Sequence, residues 1–422
     1  MAIDTNSEAG ATRDAPVMQQ IPPVPRVSIQ AFCETQEIAG IVQSAMNDRR
    51  MSKAHVKMHM GGAPAAVEAF RSAPTPNVIV IEATPDREAL ASYLDTLSES
   101  CDAGTKVIVC GKVNDILLYR ELMQRGISEY LVAPFGVIDF VRAVSNLYSA
   151  PGAQPVGRII AVIGAKGGVG SSTIAHNIAW SIASGLEMST IIADLDLGFG
   201  TAGLDFNQDP PQGIAEAVFA PDRIDANLID RLLSKCSDNL GLLAAPATLD
   251  RLYDFSESAF DTIVDILRAS APCIILDMPH VWNGWTRRML VGADEVIIVA
   301  GPDLANLRNT KNIMDSLRAA RPNDHRPKLI LNGVGLMKRP EIAIADFTKT
   351  VETEPAAIIP HEAKLFGAAA NNGQMIAEID AGHKVAEIFH DLARLMTGRS
   401  EARRARRGLL DPLMSRLGRK KA

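Results

Sequence analysis

The sequence predicts an α/β protein made of two doubly wound parallel-sheet domains, on three observations. Short apolar runs alternate with amphipathic helical periods from 26 to about 397. A stretch containing proline and glycine, 151–157, interrupts that rhythm once. After the interruption the turn Gly164-Ala165-Lys166-Gly167-Gly168-Val169-Gly170-Ser171-Ser172-Thr173 joins an apolar run at 159–163 to a helical pattern at 172–183. Strand, glycine-rich turn, helix is the order of a phosphate-binding loop.

Taken in order, 1–25 reads as a flexible lead-in, ending in Ile21-Pro22-Pro23-Val24-Pro25, where the prolines exclude a strand or helix interior. From 26 to 150, apolar strands are expected at 26–31, 54–60, 77–82, 105–110 and 129–133. Helical periods fall near 35–49, 63–72, 86–99, 113–125 and 136–149. Five strand–helix units make a parallel sheet covered on both faces. The rhythm restarts at 158, with strands expected at 158–163, 189–194, 240–245, 272–277, 295–300, 327–332 and 356–360. A helix at 303–321 places Leu304, Leu307, Ile313, Met314 and Leu317 in its apolar pattern. No repeat of 20–50 residues is evident.

Composition narrows the function classes. The 422 residues are 47% hydrophobic and 22% charged with a net charge of −6, which does not favour nucleic acid as the main partner. Residues 399–422 hold nine basic residues against two acidic ones, so the rest of the chain carries about −13. The five cysteines show no CxxC pattern, and the eight histidines form no metal-ligand spacing. No run of about 18 apolar residues exists and the first twenty residues lack a signal-peptide layout, so a cytoplasmic protein is expected. The tail places Leu409, Leu410, Leu413, Met414 and Leu417 on one helical face between basic clusters, with Pro412 against a clean helix. Such a tail suits an anionic membrane surface, a protein partner or plain solvent.

Gly126-Ile127-Ser128-Glu129-Tyr130-Leu131-Val132-Ala133-Pro134-Phe135 resembles the Gly-Ala-x-x-Tyr-Leu-x-Lys-Pro-Phe pattern of response-regulator receiver domains. The resemblance implies a (βα)5 fold at 26–150. It also exposes what is missing: Ala133 stands for the family's lysine, Glu82 for its phosphate-accepting aspartate, and Cys33-Glu34 for its acidic pair. A receiver-like domain without phosphotransfer is expected. Two readings of Glu82 stay open, a plain interaction module and a mimic of a permanently phosphorylated state.

The loop at 164–173 resembles the K-G-G-x-G-K-[ST] loop of ParA/MinD ATPases. Lys166 is kept and the second lysine is replaced by Ser171. The resemblance implies ATP and Mg²⁺ as cofactors and a nucleotide-sandwich homodimer. Lys166, Gly167, Gly168, Val169, Gly170, Ser171, Ser172 and Thr173 would then surround the phosphates, with Lys166 reaching the partner's. Asp194-Leu195-Asp196 follows an apolar run; by resemblance Asp196 orients the attacking water and Asp194 joins the metal shell. Asp277 ends a buried run as a Walker B carboxylate would, holding magnesium with Ser172. Asn332 corresponds to the family's adenine-binding asparagine, followed by Ile359-Pro360-His361 beside the base. Trp282 and Trp285 are expected to be packed inside, with a lid or partner contact as the alternative.

The combination of receiver-like domain (26–150), linker (151–157), ParA/MinD-like domain (158–397) and basic tail (398–422) resembles the CpaE/TadZ proteins of type IV (Flp/Tad) pilus assembly. The resemblance implies a polar localisation or assembly factor that meets pilus secretion machinery, peripheral on the inner face of the cytoplasmic membrane. It implies at most weak ATPase activity because of Ser171. The alternatives are a nucleotide-independent scaffold with a relic loop and a DNA-partitioning ATPase.

Overall fold

The computed structural model describes residues 21–149 and 157–398, apart from 72, 84, 85, 103, 337 and 338. The chain divides into two compact units between Pro155 and Val156, and Arg321–His325 groups with the first. The expected amphipathic tail lies outside the described residues. Among the described residues no helix is long and apolar enough to cross a membrane.

In the first unit, strands β1 (Ser28–Cys33), β2 (His55–Met60), β3 (Val78–Glu82), β4 (Lys106–Gly111) and β5 (Glu129–Val132) form a parallel sheet in the order β2-β1-β3-β4-β5. Helices α1 (Gln36–Met46), α2 (Gly62–Phe70), α3 (Arg87–Ser100), α4 (Ile116–Gln124) and α5 (Val137–Asn146) connect or follow them. The strand alternation decides the layers. Ile29, Ala31, Val78, Val80 and Ile108 face one apolar cluster, which includes residues of α1 and α5; Phe32, Ile79, Ile81 and Val109 face the other. Packing starts ahead of the expected boundary at 26: Val24 is buried and donates its N–H to the Arg50 carbonyl (2.8 Å). Prolines at 22, 23 and 25 rule out a strand there but not burial.

The strand order reverses beside β1, which places the ends of β1 and β3 at the switch point where such folds keep their chemistry. Here that corner is closed by the protein itself. Glu82 is buried, and its Oε2 accepts the N–H groups of Glu34 (2.7 Å) and Thr35 (2.9 Å) while Oε1 accepts the Thr35 hydroxyl (2.7 Å). Thr35 in turn caps α1. The carboxylate is thus spent on the start of α1. Glu82→Ala leaves two amides and a hydroxyl without their acceptor, and hydrogen bonds to charged groups contribute about 1.5–3 kcal/mol. The expected result is a loss of that size in urea denaturation of the first unit; an unmoved midpoint would show that the clasp contributes nothing.

In the second unit, β6 (Arg158–Gly164), β7 (Thr190–Asp194), β8 (Ser234–Lys235), β9 (Leu240–Leu243), β10 (Cys273–Asp277), β11 (Glu295–Ala300), β12 (Lys328–Val334) and β13 (Pro355–Pro360) form one sheet. Its order is β13-β12-β11-β6-β10-β7-β9-β8. All pairs are parallel except β8 with β9. The seven expected strands are present; β8 is two residues long and gives no periodicity to read. The helices are α6 (Ser171–Trp180), α7 (Ala202–Asp205), α8 (Ile214–Val218), α9 (Ala226–Leu232), α10 (Asp261–Ser270), α11 (Gly284–Gly292), α12 (Leu304–Ala320), α13 (Ile344–Val351), α14 (Ala363–Asn372), α15 (Ile376–Ile379) and α16 (Lys384–Thr397). Alternate residues of β6 divide the core: Ile159, Ala161 and Ile163 face the cluster that includes α10–α13, and Ile160 and Val162 face the one that includes α6 and α16. Trp285 is buried as expected, but Trp282 is half exposed, because it precedes α11 in the loop after β10. All five cysteines are unpaired.

Candidate nucleotide site

Strand order reverses again at β6, whose neighbours are β10 and β11. The loop leaving β6 therefore sits at the switch point, between loops from both halves of the sheet. Gly170 adopts a left-handed backbone (φ +88°), and a Cβ there would stand 2.6 Å from Asn332 Nδ2, so only glycine suits both the turn and the neighbour. α6 starts at Ser171, so the amides of its first turn open toward the loop without partners inside the helix.

Three side chains hold the loop by its carbonyls. His280 Nδ1 donates to Gly164 O (3.0 Å), Asn309 Nδ2 to Ala165 O (2.8 Å) and Asn332 Nδ2 to Val169 O (2.8 Å). Turning carbonyls outward leaves N–H groups to converge on an anion. Sequence reasoning missed His280 and Asn309, since neither carries a spacing signal, and for Asn332 it offered an adenine contact or a strand-end cap, not this contact with the loop. A cleft of about 390 Å³ lies against Ala165, His280, Trp282 and Asn309. It flanks the loop on the α12 side and does not include residues 166–173, so it is not the phosphate cradle.

Two of the acidic residues lie side by side at strand ends. Asp277 and Asp194 are paired in register at the ends of adjacent strands, and both are buried. They are used differently. Asp194 accepts the N–H of Asp196 (3.1 Å) and of Ala202 (3.1 Å), which folds the loop after β7 around it. Burial first, and then the Asp277 charge, push the Asp194 carboxyl up toward neutrality. Asp196 is half-buried and accepts the Phe199 N–H (3.1 Å). Neither oxygen of Asp277 has a hydrogen-bond partner.

The residue facing Asp277 is His176 of α6, fully buried, with Nε2 at 3.2 Å from Asp277 Oδ2 and Nδ1 at 2.7 Å from Asp205 Oδ2. The first contact is an ion pair without hydrogen-bond alignment, since Nε2 also lacks a hydrogen-bond partner. Burial alone would lower the imidazole pKa; the two carboxylates reverse this and hold it up to about 10. The sequence signal was there to see: a histidine, with Asn177 beside it, among the apolar residues Ile174, Ala175, Ile178 and Ala179.

Lys166 is half exposed and its Nζ lies 3.7 Å from Asp303 Oδ2. Asp303 also accepts Arg339 Nη2 and the Asn306 N–H. Burial would raise its carboxyl pKa, but these donors and cations hold it below the usual carboxylate range. Ser171 does not extend over the loop; its Oγ lies 3.0 Å from where a Cβ on Gly164 would be.

Magnesium fits this corner by its donors. Asp277 offers two buried carboxylate oxygens without hydrogen bonds, and Ser172 stands in the first turn of α6. Among the described residues no group of three or more His, Cys, Asp or Glu could hold a metal.

Comparison with known proteins gives the same division of the chain. A family model described as an AAA domain matches residues 157–329. The septum site-determining protein MinD of Helicobacter pylori is 24% identical over 254 residues, 57% of this chain and 90% of that protein. The solved MinD of Pyrococcus horikoshii in complex with Mg-ADP is 19% identical, covers 57% of this chain and 95% of its own, and superposes with a TM-score of 0.51, which shows the fold of the second unit. The solved pilus assembly protein CpaE of Caulobacter crescentus is 44% identical over all of its chain, matches 31% of this one, in the N-terminal part, and gives a TM-score of 0.30. By that identity, kept over the whole length of the solved chain, the protein belongs to the family of CpaE pilus assembly proteins, with a receiver-like unit followed by a ParA/MinD-type fold.

Proposed function

We propose that this protein is an ATP-binding localisation and assembly factor of a type IV (Flp/Tad) pilus secretion system, working as a nucleotide-dependent homodimer with slow or absent hydrolysis. The observation that carries this is the mixed state of the loop: its carbonyls are braced outward, Asp277 is left with open oxygens, and yet a serine stands at the second lysine position. Such a site is built to hold a nucleotide and poorly built to cleave it. The amides of 167–173 would hold the phosphates, and Asp277 and Ser172 the magnesium. Bound Mg²⁺ supplies positive charge that the missing lysine does not. Asp196, partly exposed after β7, would orient a water. Asn332 fixes the loop through its Nδ2, and its Oδ1 is left to meet the base.

Dimerisation is supported by exposed apolar side chains. The segments that follow parallel strands β7, β9, β10 and β11 expose Phe199, Leu249, Leu252, Trp282 and, at the start of α12, Leu304. Apolar side chains gathered on the nucleotide end suit a covering surface, and a second copy would bring its own Lys166. The first unit, its switch-point corner closed by Glu82, serves as a protein-binding module. The pilus role and polar placement follow from the family resemblance; the membrane-peripheral placement follows from the basic tail.

Calorimetric titration with ATP, with and without Mg²⁺, together with light scattering for mass, tests the reading. Magnesium-dependent binding and a shift from one chain to two are expected. No binding at millimolar ATP, or a mass that ignores nucleotide, would sink it.

A further inference from the structure

We propose that His176 is a positioning residue that ties the Asp277 carboxylate to Asp205, so that filling the nucleotide site changes the state of α7. The inference rests on the nucleotide reading above and goes beyond it by naming where occupancy is reported.

α6 buries six successive residues, Ile174 to Ala179, and four of them are apolar. The two polar exceptions have different explanations. Asn177 is structural: its Nδ2 donates to Thr173 O (2.8 Å) and its Oδ1 accepts the Ile376 N–H (2.9 Å), which fixes α15. His176 serves no backbone group. Its ring packs against Phe206 (centroids 5.4 Å apart), a task any apolar side chain of that size would do without the penalty of burying two ring nitrogens. What the imidazole adds is the link between two acids on separate elements, Asp277 at the end of β10 and Asp205 at the end of α7.

The link is firm at one end and slack at the other. The Asp205 contact is a hydrogen bond of 2.7 Å, whereas the Asp277 contact is 3.2 Å long and misaligned. A cation drawing Asp277 toward itself therefore meets little resistance, and the imidazole is left more fully to Asp205. α7 is attached to the acidic corner a second time, because Ala202 at its start donates to Asp194. The four residues of α7 are thus held at the start by Asp194 and at the end by His176. The same short helix exposes Leu204 on the surface. Next to it, a Cβ on Gly373 would meet the Leu204 carbonyl at 2.8 Å, so α7 also adjoins the end of α14. Occupancy at Asp277 has a direct mechanical path to an exposed apolar residue.

The test uses the full chain with Mg²⁺ and ATP as probes. In the unaltered protein, Mg-ATP should slow amide hydrogen exchange at 200–207. Asp205→Asn, a change outside the phosphate cradle, should remove that response and raise the half-saturating Mg²⁺ by about tenfold or more. His176→Gln should also remove the exchange response, and Asp205→Glu, which keeps a carboxylate, should retain it. Nucleotide binding with an unchanged Mg²⁺ requirement and unchanged exchange response in Asp205→Asn would overturn this inference and leave the nucleotide reading intact. No Mg-ATP binding by the unaltered chain would overturn both.

Discussion

Ser171→Lys should tighten ATP binding by about ten- to a hundredfold. The proposed phosphate cradle rests on the Gly170 turn, the outward carbonyls of Gly164, Ala165 and Val169, and the first turn of α6. Position 171 opens that helix, so a lysine there starts beside the phosphates instead of having to reach them across a partner. A charge-assisted hydrogen bond is worth about 1.5–3 kcal/mol, and each 1.4 kcal/mol is a factor of ten in affinity. Turnover should rise as well, because a fixed cation favours charge that develops on the phosphoryl oxygens. Titration of the variant and the unaltered chain with ATP, each with its steady-state phosphate release, checks both effects. A change under threefold in a folded variant would mean that Lys166 or the loop amides already saturate the site, and that Ser171 is not what limits it.

Much of the fold could be read because parallel strands buried on both faces are nearly continuous apolar runs, and helices covering them keep a single apolar stripe. Ile159 to Ile163 and Cys273 to Leu276 declare themselves that way. Positions at strand ends were legible for the same reason: Asp194 and Asp277 terminate predicted strands that pair in register, and Asn332 lies in a third, from which it reaches the Val169 carbonyl. What could not be read were pairings made by tertiary contact. Nothing local in Glu34-Thr35 tells that Glu82, 47 residues away from Thr35, closes on their amides. Asn309 lies 144 residues from the carbonyl it holds. Val24 belongs to the folded unit although its proline neighbours suggested a loose lead-in. β8 is shorter than any period. His176 lies between these cases: a polar residue in an apolar helix announces an unpaid polar group, but only the structure says that the partners are Asp277 and Asp205.

Asp277→Asn should abolish the magnesium dependence of nucleotide binding while changing the stability of the nucleotide-free protein far less. Two opposing effects set that stability. Removing the charge relieves repulsion with Asp194, which stands beside it in register, and lets the Asp194 carboxyl ionise more readily. It also takes from His176 one of its two carboxylates, leaving Asp205. The two changes are of the same kind and opposite sign, because both concern one charge in one buried corner, and neither Asp277 oxygen gives up a hydrogen bond. The affinity effect has no such offset. Replacement of groups that merely orient metal ligands weakens metal binding by about 10–100-fold, and loss of the ligand itself should reach at least the upper end. Thermal unfolding of the nucleotide-free variant, set beside ATP titrations over a range of Mg²⁺, separates the two quantities. A variant that unfolds many degrees lower would show that the Asp277 carboxylate is held for the sake of the core. A variant with normal stability and no Mg²⁺ dependence would show that the buried charge is kept for the cation, at the expense of repulsion that the folded protein carries whenever the cation is away.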